Sequence, residues 1–148
     1  MDVVQAGPED LEAVLALLRG SALPTEGVAE HFCGFLVARA GGAVAGCAGQ
    51  EGYSSNVLLR SLAVAPAYRG RGLGRALTRR IIEQARENGA SRVYLLTETA
   101  GDFFLKFGFC RIPREKAESA IGASAEFRSI CCQSAACMRL VLRHRPPG

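Results

Sequence analysis

What this sequence lacks removes several classes of protein. No stretch approaches the roughly 20 consecutive apolar residues that a membrane helix needs. The opening Met1-Asp2-Val3-Val4 does not show the basic-then-apolar pattern of a signal peptide. With 17 Gly and 6 Pro in 148 residues, neither residue is frequent enough to suggest a disordered chain. The cysteines never fall in the paired C-x-x-C spacing of a zinc site, so no metal is expected. The formal charge of +4 is mild, and the basic residues are not interleaved with aromatics as on a nucleic-acid surface. The expectation is a soluble, cytoplasmic protein without a nucleic-acid or membrane partner. One domain over residues 1–148 suits this length, with 143–148 as a tail.

Six cysteines are present. Cys33, Cys47 and Cys110 lie in apolar or glycine-rich surroundings and read as small core residues. Cys131, Cys132 and Cys137 form a looser cluster. Three thiolates are a conceivable soft-metal set, but a loop entering the last strand is the plainer reading.

Hydrophobic periodicity predicts an alternation of strands and helices. Val3–Ala6 reads as a strand, and Pro8 opens a helix whose apolar stripe is Leu11, Val14, Leu15 and Leu18. Phe35–Arg39 and Val44–Gln50 form a hairpin about Gly41-Gly42. Val57–Val64 is the next strand, ended by Pro66. From Gly72 the period becomes helical, with Leu73, Ala76, Leu77, Ile81 and Ala85 on one face. Val93–Thr97 reads as a strand parallel to Val57–Val64, because a helix joins the two. A short helix over Ala100–Phe107, a strand Phe109–Ile112, a helix over Glu115–Phe127 and a strand Met138–Leu142 complete the order.

Arginine concentrates in one place: Arg69, Arg71, Arg75, Arg79 and Arg80 lie in and just after Arg69-Gly70-Arg71-Gly72-Leu73-Gly74. This run joins a strand to a helix. A helix N-terminus carries unpaired N–H groups and partial positive charge, and glycines let the backbone approach an anion with positive φ. Arg69 and Arg71 add charge-assisted hydrogen bonds. The run lacks the Gly-Lys-Ser/Thr of a P-loop. Its G-x-G-x-G spacing after a late strand is not that of a dinucleotide fold.

Leu62-Ala63-Val64-Ala65-Pro66-Ala67-Tyr68 followed by Arg69–Gly74 resembles the acetyl-CoA signature of the GNAT superfamily of N-acetyltransferases, and Phe103–Phe109 resembles its second landmark. The resemblance implies an α/β (α+β) GNAT fold: a central mixed, mostly antiparallel sheet with a splayed parallel strand pair and flanking helices. It also implies acetyl-CoA as cosubstrate. Leu62, Ala63 and Val64 would offer backbone groups to the pantetheine arm. Arg69, Gly70, Arg71, Gly72, Leu73, Gly74 and Arg75 would hold the pyrophosphate, and Phe104 and Lys106 would line the cofactor. Many GNAT enzymes place a tyrosine, as general acid, where this chain has Phe104. Tyr94 and solvent are the alternatives. Glu98 and Glu51 are candidates for the base, each with a solvated carboxylate as its plain alternative.

Arg60 interrupts the apolar strand Val57–Leu62, where a guanidinium needs an anionic partner or exposure. Its planar fork suits a substrate carboxylate. Thr97 and Thr99 could supply hydroxyls to the substrate, or Thr99 could cap the helix at Ala100. Arg60–Val64, Leu95–Ala100 with Phe103-Phe104, and the end through Met138 resemble the GNAT domain of N-acetylglutamate synthases. With Leu23–Val28 and Phe127–Met138, they resemble still more the short arsenic-resistance N-acetyltransferases. Those relatives imply a small amine acceptor acetylated on its α-amine: glutamate or a toxic analogue of it. A protein N-acetyltransferase and a non-catalytic acetyl-CoA-binding module are the alternatives, and a homodimer fits any of them.

Overall fold

The computed structural model describes residues 2–128 and 135–143. Cys131, Cys132 and the tail beyond Arg143 lie outside the described residues. Strand β1 (Val3–Gln5) leads through a 3-10 turn at Pro8–Asp10 into α1 (Leu11–Gly20). The Gly7 N–H donates to Asp10 Oδ2 at 2.8 Å, which satisfies one of the donors a helix start leaves open. After a loop come β2 (Leu36–Ala40), β3 (Ala43–Tyr53) and β4 (Asn56–Val64). Helix α2 (Leu73–Glu87) follows, then β5 (Arg92–Thr97), α3 (Gly101–Leu105) and β6 (Cys110–Ile112). Two short helices, α4 (Ser119–Gly122) and α5 (Ala125–Arg128), precede β7 (Ala136–Val141).

Among the described residues the strands form one seven-stranded mixed sheet in the order β1-β2-β3-β4-β5-β7-β6. The pairs β1–β2, β2–β3, β5–β7 and β6–β7 are antiparallel. Strands β4 and β5 are parallel, as the connecting helix requires. Their register runs from Asn56 opposite Arg92 to Leu58 opposite Tyr94, although β4 continues to Val64 and β5 to Thr97. This is the mixed sheet with a parallel pair and flanking helices that the sequence resemblance implies.

The chain divides into two compact units. The first comprises Met1–Glu51 and Leu59–Ile82; the second comprises Gly52–Leu58 and Glu83–Gly148. In the first, Val14 and Leu18 of α1 pack with Val28, Phe35, Val37, Cys47 and Ala63. In the second, Leu58, Tyr94, Ile121, Phe127 and Cys137 form the core. Full burial of such side chains contributes about 1.5–3 kcal/mol each. Helix α2 buries Leu73, Leu77, Ile81 and Ala85 at helical spacing. Gly46 on β3 lets α2 come close: a Cβ there would lie 3.1 Å from Leu73 Cδ2 and 3.2 Å from Leu77 Cδ1.

Several local expectations are corrected. Glu115–Phe127 is not one helix, because side chains cap it in the middle. The Ala120 N–H donates to Glu118 Oε2 at 3.0 Å and the Phe127 N–H to Ser124 Oγ at 3.3 Å, so two short helices replace one. Ala76 is exposed instead of sharing the buried face of α2. Cys33 and Cys110 are exposed, since one lies in a 3-10 turn and the other on the edge strand β6; Cys47 is buried as expected. Among the described residues no helix is long and apolar enough to cross a membrane.

Candidate cofactor and acceptor site

Strand β4 ends at Val64 and passes through a 3-10 turn at Pro66–Tyr68 into the glycine run. Gly70 and Gly72 have φ of +79° and +81°, in the left-handed region that favours glycine. A Cβ at either would meet nothing within 4 Å, so conformation, not crowding, requires glycine here. The backbone therefore lies open on this side. The Gly72 carbonyl accepts the Ala76 N–H at 3.0 Å, the first hydrogen bond of α2. No acidic residue stands in the first turn of α2 to neutralise its positive end. Arg69 Nε donates to the Val64 carbonyl at 3.0 Å and braces the turn, and the Arg71 guanidinium lies 5.5 Å from the Tyr68 ring centre. Buried Leu73 anchors the helix start, while Gly74 is half-buried and Arg69, Gly70, Arg71, Gly72 and Arg75 are exposed. Open backbone, a helix N-terminus and arginines together suit a pyrophosphate.

Just upstream, β4 carries a kink. Ser61 has φ +60°, uncommon for a residue with a side chain, and Leu62, Ala63 and Val64 follow it directly. Around Ser61 the structure assembles polar groups for which the sequence suggested other tasks. Arg60 is 2% exposed. Its Nη1 donates to Glu51 Oε2 at 2.8 Å, its Nε to Ser61 Oγ at 3.0 Å and its Nη2 to the Pro24 carbonyl at 3.3 Å. The anionic partner that a strand arginine needs is thus internal. Arg60, expected to clamp a substrate carboxylate, and Glu51, expected as a base, are here each other's partner: Glu51, 1% exposed, is held by the guanidinium. His31 Nε2 lies 3.5 Å from Glu51 Oε1. Cys47 Sγ donates to the Ser61 carbonyl at 3.3 Å. Burial pushes the Cys47 thiol up to about 12, against a smaller opposing effect from the Ala63 backbone, so it remains protonated at neutral pH. Sequence reasoning missed His31, Pro24 and the role of Cys47. The only signal for His31 was its rarity, two histidines in the chain.

The other candidates belong to the second unit. Thr97 Oγ1 accepts the Ala100 N–H at 3.0 Å, so Thr97, not Thr99, closes the turn before α3. Glu98 and Thr99 are exposed at the end of β5. Phe104 is 4% exposed and meets the rings of Phe103 and Phe109 edge-on, with centroids at 5.0 and 5.7 Å. Lys106, just past α3, is exposed. Tyr94 is buried in the core with Leu58 and Ile121, packed as a strand tyrosine. Cys137 is buried in β7, and burial raises its thiol against the lowering effect of Arg114 and Arg139. Among the described residues no group of three or more His, Cys, Asp or Glu could hold a metal ion.

Comparison with known proteins gives concordant results. A family model described as an acetyltransferase (GNAT) domain matches residues 31–111, more than half of the chain. The uncharacterized N-acetyltransferase CT2212 of Chlorobaculum tepidum is 35% identical over 91 residues, which are 61% of this chain and 58% of that protein. The N-acetylglutamate synthase of Neisseria gonorrhoeae, solved with coenzyme A and N-acetyl-glutamate, superposes with a TM-score of 0.84 at 23% identity. That likeness covers 97% of this chain and 35% of the synthase. Rv2747 of Mycobacterium tuberculosis, solved with CoA and a second ligand, gives a TM-score of 0.80 at 25% identity, covering 97% of this chain and all of that one. The chain thus spans little more than half the length of the curated relative and about a third of the synthase.

Proposed function

The chain belongs to the GNAT acetyltransferase family, and we propose that it is a cytoplasmic enzyme that transfers the acetyl group of acetyl-CoA to the α-amine of a small, amino-acid-like acceptor. One observation carries the donor: a left-handed Gly70–Gly72 turn, flanked by arginines, opens directly onto the N-terminus of α2. Backbone N–H groups and the helix dipole together favour a phosphate group there. Solved neighbours hold CoA.

Bound acetyl-CoA supplies an acyl group activated as a thioester. Arg69–Arg75 would hold the pyrophosphate, and Leu62–Val64 would offer backbone groups to the pantetheine arm and to the acyl oxygen, where charge develops. Glu98, exposed at the end of β5, takes the proton from the acceptor amine through water. Thr99 offers its hydroxyl to the acceptor, while Thr97 shapes the turn from which both project. Phe104, which the sequence resemblance would set along the cofactor, has no proton to give. Solvent would therefore protonate the departing thiolate.

The acceptor class rests on the likeness to a protein that binds N-acetyl-glutamate and on the sequence resemblance to arsenic-resistance enzymes. Glutamate or a toxic arsenic- or phosphorus-containing analogue is the acceptor. An assay of free CoA thiol over a panel of α-amino acids, such analogues and peptides tests this. Turnover with amino acids or analogues and none with peptides is expected. Turnover confined to peptides would replace the reading with a protein acetyltransferase. Phe104, in place of a proton donor, favours a second reading as an acetyl-CoA-binding module. Tight binding without transfer to any amine would establish it.

A further inference from the structure

Glu51, Arg60 and Cys47 converge on a single backbone feature. Ser61 holds φ +60° without being glycine, and it stands immediately before Leu62. An L-residue in that conformation is strained unless its surroundings over-determine it. Ser61 is held at two of its polar atoms: Oγ accepts from Arg60 Nε at 3.0 Å and the carbonyl accepts from Cys47 Sγ at 3.3 Å. Arg60 can donate to Ser61 only while its own fork is fixed, and Glu51 Oε2 and the Pro24 carbonyl fix the remaining nitrogens. An arginine offers these separated donors on one rigid plane, whereas a lysine would keep a single ammonium.

The ion pair has no evident reason to exist for stability alone. Its side chains are 0% and 1% exposed. Desolvating two charges costs as much as their attraction returns, so packed apolar residues would serve a stable core as well or better. A buried pair that keeps one geometry has a different use, in fixing conformation.

We propose that Glu51, Arg60 and Cys47 are positioning residues that lock Ser61 in the left-handed conformation and thereby aim the Leu62–Val64 backbone at acetyl-CoA. The proposal rests on the acetyl-CoA reading of the site above. In it, Glu51 is a brace for the cofactor strand instead of a base, and Arg60 serves the donor side instead of the acceptor.

The test separates affinity from stability. Glu51→Gln keeps the shape of the side chain and removes its charge. CoA binding, measured by titration calorimetry, is expected to weaken by about five- to tenfold, the equivalent of losing control of one left-handed residue. Ser61→Gly added to Glu51→Gln is expected to restore CoA affinity to within about twofold, because glycine adopts positive φ without strain. The melting temperature of this double variant stays low, since Arg60 Nε loses its acceptor. Cys47→Ala, which leaves the charges alone, weakens CoA binding by about two- to threefold through loss of one neutral hydrogen bond, and it carries the test should Glu51→Gln not fold. A Glu51→Gln protein that melts lower but binds CoA like the parent overturns the proposal, as does a double variant whose affinity is not restored or a Cys47→Ala protein of unchanged affinity. Crystal structures of the ligand-free proteins give a readout independent of CoA: Ser61 leaves the left-handed region in Glu51→Gln, and a φ still near that of the parent overturns the brace. Failure of the parent protein to bind CoA, with that backbone change observed, refutes the acetyl-CoA reading and not the brace.

Discussion

Arg39–Asp10 and Arg60–Glu51 are both arginine–carboxylate pairs of the first unit, with N–O separations of 2.5 and 2.8 Å. Their surroundings set them apart. Arg39 is 36% exposed, so water reaches the guanidinium and can replace a lost partner. Asp10 also accepts the Gly7 N–H, and its place in the structure is explained by closing the 3-10 turn that leads into α1. Arg60 and Glu51 have almost no exposure, and neither can turn to water if the other is removed. Distance alone would rank the pairs as equals. Burial decides what each can do: the first closes the 3-10 turn before α1 and carries an accessory charge, and the second is a rigid insert just before Leu62–Val64.

The largest expected effect is on stability. Glu51→Ala strands a buried guanidinium and is expected to cost about 3–5 kcal/mol in denaturant unfolding. Asp10→Ala removes a helix-start acceptor and is expected to cost about 1 kcal/mol. Equal losses would break the comparison.

The next prediction sets apart two glycines that share positive φ but not position. Gly72 (φ +81°) lies in the turn before α2 and Gly42 (φ +91°) in the β2–β3 hairpin, and a Cβ at either would meet nothing within 4 Å. Alanine at either costs roughly 1–2 kcal/mol of backbone strain. Gly72→Ala is expected to weaken CoA binding about tenfold, while Gly42→Ala lowers the melting temperature and leaves the affinity as it was. Parallel losses of affinity would show that strain anywhere in the unit disturbs the site.

The smallest effect is a pH dependence. Burial by itself raises the Asp10 carboxyl, but the Arg39 hydrogen bond, the Gly7 N–H and the Arg39 charge together bring it below its ordinary 3.8. A carboxyl lowered in the folded state contributes stability that is present above 3.8 and lost as pH falls through the lower folded value. The stability difference between the parent and Asp10→Asn should therefore be constant near neutrality and shrink below that pH. A difference that persists unchanged in acid would show that the charge of Asp10 does nothing.

The same contrast explains what the sequence made legible. The glycine turn was readable because its requirements are local: positive φ at Gly70 and Gly72, a helix directly after, and arginines alongside. The buried stripe of α2 was readable from its period alone, except at Ala76. The partner of Arg60 was not, because Glu51 lies nine residues earlier on β3, and only strand pairing brings the two together. The expected end of that strand at Gln50 left Glu51 outside it, whereas β3 runs to Tyr53 and carries Glu51 inward. The kink at Ser61 had no sequence signal, since serine is not the residue that a left-handed position favours. Thr97 rather than Thr99 closes the turn before α3 for a similar reason: both hydroxyls lie close in sequence to Ala100, and only the backbone path chooses between them.

The central claim is that the turn after β4 holds acetyl-CoA. Calorimetric titration of CoA into the parent protein and into Gly72→Ala tests it most directly. Saturable binding of one CoA per chain, weakened about tenfold by the substitution, is the predicted result. No binding by the parent protein, or equal binding by both, would contradict it.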